Sequence, residues 1–317
     1  MKIILPGGSG QVGTILARHF HRAGHEVTVL SRSPKPAPWR VAHWDGRTPN
    51  PAWTSLLEGA DAVIHLSGRS VNCRYTLTNR RDIVDSRVIP TLLLGRVIES
   101  LKNPPRVWMN ASTSTLYRHS LDRDQDEVGG EEGGSEPDVA ETWNFSVGVA
   151  RSWENAFHAS NTPATRKIAL RSSMTMSPDA GGVFSVLLGL VRAGLGGTEG
   201  NGHQFVSWIH DLDYVHAVDF LLAHPEIEGA VNLTSPNPLP NRDFMRALRR
   251  AAGVPFGLPA TRWMLEIGAL FLRTETELIL KSRRVVPTLL LQHGFAFDHP
   301  DWPEAAVDLI QRYRARH

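Results

Sequence analysis

Residues Lys2–Phe20 read KIILPGGSGQVGTILARHF, and this stretch decides the fold. A short apolar run reads as a strand, a glycine cluster follows at once, and apolar residues at helical spacing then continue to Gly24. Gly7, Gly10 and Gly13 stand in G-x-x-G-x-x-G spacing, with Gln11 and Val12 opening the helix. Glycines let the backbone turn tightly against a pyrophosphate, while the helix start aims its free amides at the charge. A glycine triplet alone is a weak signal. Between a strand and a helix it marks the first turn of a dinucleotide-binding βαβ unit, so these five residues are expected at a cofactor.

The next strand, EVTVLSRS, sharpens the cofactor. An NAD site usually ends its second strand on a carboxylate that bonds the ribose hydroxyls, but this strand ends on Ser31 and Arg32. A guanidinium beside a hydroxyl pairs with a 2′-phosphate that a carboxylate would repel, so the pattern predicts NADP(H). RVAHW, DAVIHLSG, RVWMNAS and TRKIALRSS continue the alternation of strands with helices. That alternation predicts an α/β fold, a doubly wound parallel sheet with right-handed crossovers. Asp45 after the third strand and Leu66, Ser67 and Gly68 after the fourth are expected on the cofactor channel. Ser112 and Arg171, closing the fifth and sixth strands, are assigned to the same side.

Bulk composition narrows the class. With 317 residues, 41% hydrophobic and 21% charged, the chain can bury a large core. A net charge of +2 gives no argument for nucleic acid or membrane, and no apolar window is long enough to span a bilayer. A single cysteine, Cys73, permits no intrachain disulfide and fits a reducing compartment, so a cytoplasmic protein is expected. The histidines show no metal-ligand spacing, and no metal is expected.

Two regions break the alternation. Residues 119–141 contain DRDQDEVGGEEGGSEPD, acidic and glycine-rich, and read as a mobile surface loop. From about Pro236 strands are no longer expected, and PNRDFMRALRRAAG, RWMLEIGALFL, ELILKSRR and EAAVDLIQRYRARH read as helices. The expected division is 1–235 for the nucleotide-binding part, with some of 172–203 in a substrate lobe, and 236–317 for a smaller helical C-terminal lobe. The basic end QRYRARH reads as a solvated helix face, and QFVSWI as one strand whose following Asp213 caps a helix.

The glycine loop, LSG after the fourth strand and STSTLY after the fifth resemble the extended and atypical short-chain dehydrogenase/reductases, the nucleotide-sugar epimerase superfamily. GHEVTVLSR, RYTLTNRRDIVDSRV, SWENA, LGGTEGNGHQFVSWIH, VNLTSPNPLPNRDF and ELILKSRRVVPTLLLQHGFAFDHPDWPEA resemble one epimerase-like subgroup with a C-terminal domain of unknown function. The resemblance covers nearly the whole chain. It implies a Rossmann domain with a discontinuous substrate lobe, in proteins catalogued as sugar-nucleotide epimerases or as cell-division inhibitors. Pairing through Rossmann helices, common in the superfamily, leaves a homodimer open.

In that superfamily a tyrosine moves the substrate proton, and a lysine one helical turn on lowers its pKa. Counting back from Glu154 in SWE puts the tyrosine position at Ser146 and the lysine position at Ala150. No Tyr or Lys lies between Trp143 and Phe157, so the dyad is missing. The resemblance leaves Thr113, the Ser/Thr after the fifth strand, and Tyr117 as candidate catalytic groups. Arg74, Gln204, Trp208 and His210 are candidates for the substrate pocket, with His210 equally readable as a buried structural histidine. Two readings follow: an NADP(H)-dependent oxidoreductase or epimerase acting on a small polar, sugar-like substrate, or an NADP(H)-binding regulator without turnover.

Overall fold

The computed structural model describes residues 1–134, 136, 139–260 and 280–316. Seven parallel strands form one sheet: β1 (Lys2–Pro6), β2 (Glu26–Ser31), β3 (Arg40–His43), β4 (Ala62–His65), β5 (Val107–Thr113), β6 (Arg166–Ser172) and β10 (Gly229–Leu233). Their spatial order is 3-2-1-4-5-6-10, a Rossmann-like doubly wound sheet. Side chains alternate across it. Ile3, Leu5, Val27 and Val29 face α1 (Gln11–Arg22) and α6 (Asp211–Ala223), while Ile4, Leu30, Val63 and Trp108 face α2 (Pro51–Leu57), α3 (Leu77–Ser100) and α4 (Glu141–His158). Covering both faces explains why these strands read as near-continuous apolar runs. Among the described residues no helix is long and apolar enough to cross a membrane.

A second core gathers Phe184, Leu188 and Val191 of α5 (Val183–Arg192), Phe244 and Leu248 of α7 (Asn241–Ala252), and Trp302, Leu309 and Ile310 of α9 (Trp302–Arg314). Two short pairings frame it: β7 (Met174–Met176) with β9 (Trp208–His210), and β8 (Phe205–Val206) with β11 (Leu239–Pro240). Strand structure therefore reaches past Pro236. QFVSWI is two strands, broken at Ser207, whose hydroxyl donates to the Arg283 carbonyl and accepts from Val285 N–H. RWMLEIGALFL and most of ELIL lie outside the described residues.

The acidic stretch is not a mobile loop over its described part. Gln125 is fully buried and pairs through its backbone with Arg284 and Val286. Glu127 accepts hydrogen bonds from Asn232 N–H and Leu289 N–H, and Asp126 from the Thr288 hydroxyl at the start of α8 (Thr288–Gln292). Carboxylates taken up by buried amides need no apolar anchor, so composition misreads this segment. Asp213 does not cap α6 either. His210 does, its Nδ1 accepting from Leu212 N–H, whereas Asp213 is buried and holds the amides of Asp298 and His299. The basic tail is only partly solvated, because Arg312 forms a forked pair with Asp211 and also meets Asp308.

Candidate functional site

A cleft of about 750 Å³ opens over the carboxyl ends of β1, β2 and β4. Its floor is the glycine loop. Gly7 has φ +75°, and a Cβ there would stand 2.4 Å from Ser67 Oγ, so the loop needs glycine both for conformation and for its approach to Leu66–Gly68. A Cβ on Gly13 would meet the Gly8 backbone at 2.4 Å, which packs α1 tightly under the turn. Gly10 is the N-cap of α1, opens onto free space, and is followed by no acidic residue in the first turn. The unpaired amides of that turn are therefore free to take an anion, and the cradle fits a dinucleotide pyrophosphate.

Gln11 and Val12 lie in that first turn. The Gln11 side chain is committed elsewhere, donating to the Asp179 carbonyl at 3.0 Å, and Val12 packs against the core, so neither side chain lines the cleft. Ser31 and Arg32 line this cleft and also a neighbouring cavity of about 530 Å³ that contains Ser33 and Lys35. Arg32 thus stands on the wall shared by the two. Asp45 lines the same cleft beyond β3, its carboxylate accepting from Arg47 and Thr48 amides, which hold its pKa below the ordinary range. Ser9, Trp44, Arg47, Arg69 and Ser86 line the cleft as well, and the sequence reading did not name them as cofactor residues. Arg69 and Ser86 come from the loop after β4 and from α3, and nothing in local sequence says that they converge.

Ser112 and Arg171 fall into a buried polar network. Arg171 forks onto both Glu154 oxygens at 2.9 and 2.8 Å, Ser112 Oγ donates to Glu154, and Arg171 also donates to the Tyr117 hydroxyl at 3.0 Å. Tyr117 in turn donates to Asn232 Oδ1 at 3.0 Å. Burial would lower the Arg171 guanidinium, but the Glu154 carboxylate holds it above its usual value. Burial pushes the Tyr117 phenol up, with Arg171 and Asn232 pulling the other way. At 2% exposure, with its hydroxyl held on both sides, Tyr117 is placed to brace β5, β6 and β10. Glu154, named from sequence only as a register mark, is the centre of this network.

Thr113 ends β5 half-buried, its Oγ1 accepting from Thr115 N–H, which leaves the hydroxyl proton for another acceptor. Of the other pocket candidates, Arg74 is exposed and Gln204 is buried with its amide on the Glu199 carbonyl. Trp208 and His210 are fully buried in the second lobe, Trp208 against Trp302 and His210 with Nε2 on Asp308 at 3.0 Å, so neither opens onto solvent. The fold closes β9 under α9, a packing that local sequence does not reveal. His210, Asp308 and His299 lie close enough to share an ion, yet the Arg312 guanidinium already sits 3.1 Å from Asp308 and 3.3 Å from His210.

The model of the NAD dependent epimerase/dehydratase family matches residues 3–233, most of the chain and the whole of the glycine cradle. The chain belongs to this family. A second match, to a domain of unknown function (DUF1731), covers residues 260–309, so this family member carries the tail of one subgroup. The epimerase family protein SDR39U1 of Bos taurus is 30% identical over 316 residues, covering 98% of this chain and all of that protein. An epimerase family protein of Mycobacterium tuberculosis is 30% identical over 306 residues, covering 96% and 95%. Among solved structures, human SDR39U1 with NADPH matches with a TM-score of 0.83 at 27% identity, covering 98% of this chain and 99% of that one.

Proposed function

We propose that the protein binds NADP(H) in the cleft and acts as an oxidoreductase of the atypical short-chain type, passing hydride to or from a small polar, sugar-like substrate. The observation that carries the cofactor reading is Arg32 at the end of β2, on the wall of both cavities, where an NAD site would place an acid. The NADPH in the human relative's structure supports the same assignment. In this reading the α1 amides hold the pyrophosphate, and Ser31, Arg32 and Ser33 hold the 2′-phosphate. Asp45 faces the adenosine. The bound nicotinamide supplies or accepts hydride. The Thr113 hydroxyl then holds the substrate oxygen at the end of β5 by a hydrogen bond.

The competing reading, a cofactor-binding regulator, draws on one observation. α4 carries Ser146 and Ala150 where the proton-transfer dyad is expected. Equilibrium titrations with NADPH and NADH, then NADPH oxidation over a panel of aldehydes and keto-sugars, separate the two. Tighter binding of NADH would sink the cofactor assignment. Tight NADPH binding without any oxidation above the protein-free rate would leave the regulator.

A further inference from the structure

The sheet order divides the cleft. Arg32 and Asp45 lie over β2 and β3 on one side of the glycine loop, so the other half of a bound dinucleotide lies over β4 and β5. Reduction of a carbonyl there needs a proton donor as well as hydride, and a bare hydroxyl such as that of Thr113 is too weak an acid to supply it. Tyr117 is held in its buried network, and the loop that leaves β4 on this half of the sheet brings a second phenol, Tyr75. It stands in the loop between β4 and α3, 8% exposed, packed on Ile83 of α3 and Val149 of α4 and edge-on to Phe145 at 4.9 Å.

Its hydroxyl lies 3.4 Å from Ser146 Oγ. Leu116, three residues past Thr113, packs against Val147 and Ala150, which ties this turn of α4 to the end of β5. A tyrosine hydroxyl reaches further from its own Cα than a serine hydroxyl does. A phenol that approaches Ser146 end-on therefore enters the space that a tyrosine side chain at position 146 would fill. A cation comes from the turn of α3 on which Tyr75 packs. Arg87, one turn on from Ile83 in α3, donates to the Ile83 and Arg69 carbonyls at 2.9 and 3.1 Å and lies over the Trp153 ring. A Cβ on Gly68 would be 3.2 Å from Arg87 Cζ, so the guanidinium lies directly against a residue lining the cleft.

We propose that Tyr75 is the proton donor of this site, with Arg87 as the cation that stabilises its phenolate, the pair replacing in space what α4 lacks in sequence. Hydride from the reduced nicotinamide adds to the carbonyl carbon, and the Tyr75 O–H bond breaks to protonate the carbonyl oxygen. The carbonyl becomes an alcohol, NADPH becomes NADP⁺, and water reprotonates the phenolate by way of Ser146 Oγ. Other charges around the phenol are Arg74 in the same loop, Arg80 of α3, whose Nε donates to the Tyr75 carbonyl, and Glu141 of α4, which pairs with Arg80. Burial pushes Arg87 down to about 10, while Tyr75 acts on it in the opposite sense, so the two groups feel each other's charge.

The assignment rests on the oxidoreductase reading, and two measurements keep their failures apart. With a carbonyl that the wild type reduces, Tyr75→Phe should cut turnover about a hundredfold or more while NADPH affinity stays unchanged. The double variant Tyr75→Phe/Ser146→Tyr should recover much of it by returning a phenol from the helix. Full turnover in Tyr75→Phe overturns the proposal and leaves the oxidoreductase standing. The second measurement needs no turnover. The chain has 4 tyrosines, and burial pushes Tyr117 and Tyr214 up. Ultraviolet titration of the cofactor-free protein should show a phenol ionising below the usual value of about 10, lost in Tyr75→Phe and shifted upward in Arg87→Met. A Tyr75 that titrates at or above that value overturns the proposal whether or not any substrate is found.

Discussion

In the proposed function Arg32 is the side chain that tells apart two nucleotides differing by one phosphate. It projects from the end of β2 onto the wall shared by two cavities, beside Ser31, Ser33 and Lys35. Arg32→Ala should weaken NADPH binding by about 1.5–3 kcal/mol, roughly 10- to 100-fold in Kd, the usual worth of a charge-assisted contact. NADH, which lacks the phosphate, should bind nearly as before, and isothermal titration with both nucleotides checks the split. An equal loss for both would mean that Arg32 supports the loop and does not read the phosphate. Residues such as Gly7 and Gly13 were legible because their constraint is local: a turn or a close approach of backbone. Tyr117, Arg171 and Glu154 were not. Arg171 meets Tyr117 across 54 residues of chain, and only the finished sheet brings β5, β6 and α4 together.

The elements of the sheet were legible through their apolar runs and punctuating glycines, and the acidic stretch was the main misreading. Composition reports only that residues 119–134 bury little apolar surface. It is silent on carboxylates that serve buried backbone. Glu127 is the clearest case, since its two oxygens take the amides of Asn232, in the edge strand β10, and Leu289, in α8. Burial raises its carboxyl while those amides pull it back down. Glu127→Ala should leave two amides without acceptors, at about 1–3 kcal/mol each where water cannot replace the carboxylate. Urea denaturation should show that loss, and limited proteolysis should cut first within 119–134. A variant as stable and as resistant as the wild type would return the segment to the status of a loop.

On the scale of the whole molecule, the core of the sheet and the core around α5, α7 and α9 share one chain, and buried histidines sit where parts meet. His65, fully buried at the end of β4, donates from Nδ1 to Asn110 Oδ1 of β5 at 2.7 Å and lies edge-on to Trp44 beside the cleft. His210 joins α6 of the first core to Asp308 of α9 in the second. Burial lowers each imidazole to about 4 from an ordinary 6.5; for His65 the Asn110 bond opposes the shift, and for His210 chiefly Asp211 does. Between pH 6.5 and about 4 the unfolded chain therefore binds protons that the folded one refuses, so these groups make stability fall as pH falls and leave it unaffected above that window. Glu127, Glu199 and Asp213, whose carboxyls burial raises, act in the opposite sense in the acid range, so the wild-type curve alone does not isolate the histidines. A difference does. His65→Gln keeps an N–H for Asn110 and removes the titration, so between pH 6.5 and 4 the wild type should lose about 3 kcal/mol more than the variant. Parallel curves would mean that the His65 imidazole accepts its proton inside the fold, and that the end of β4 opens to water on acidification.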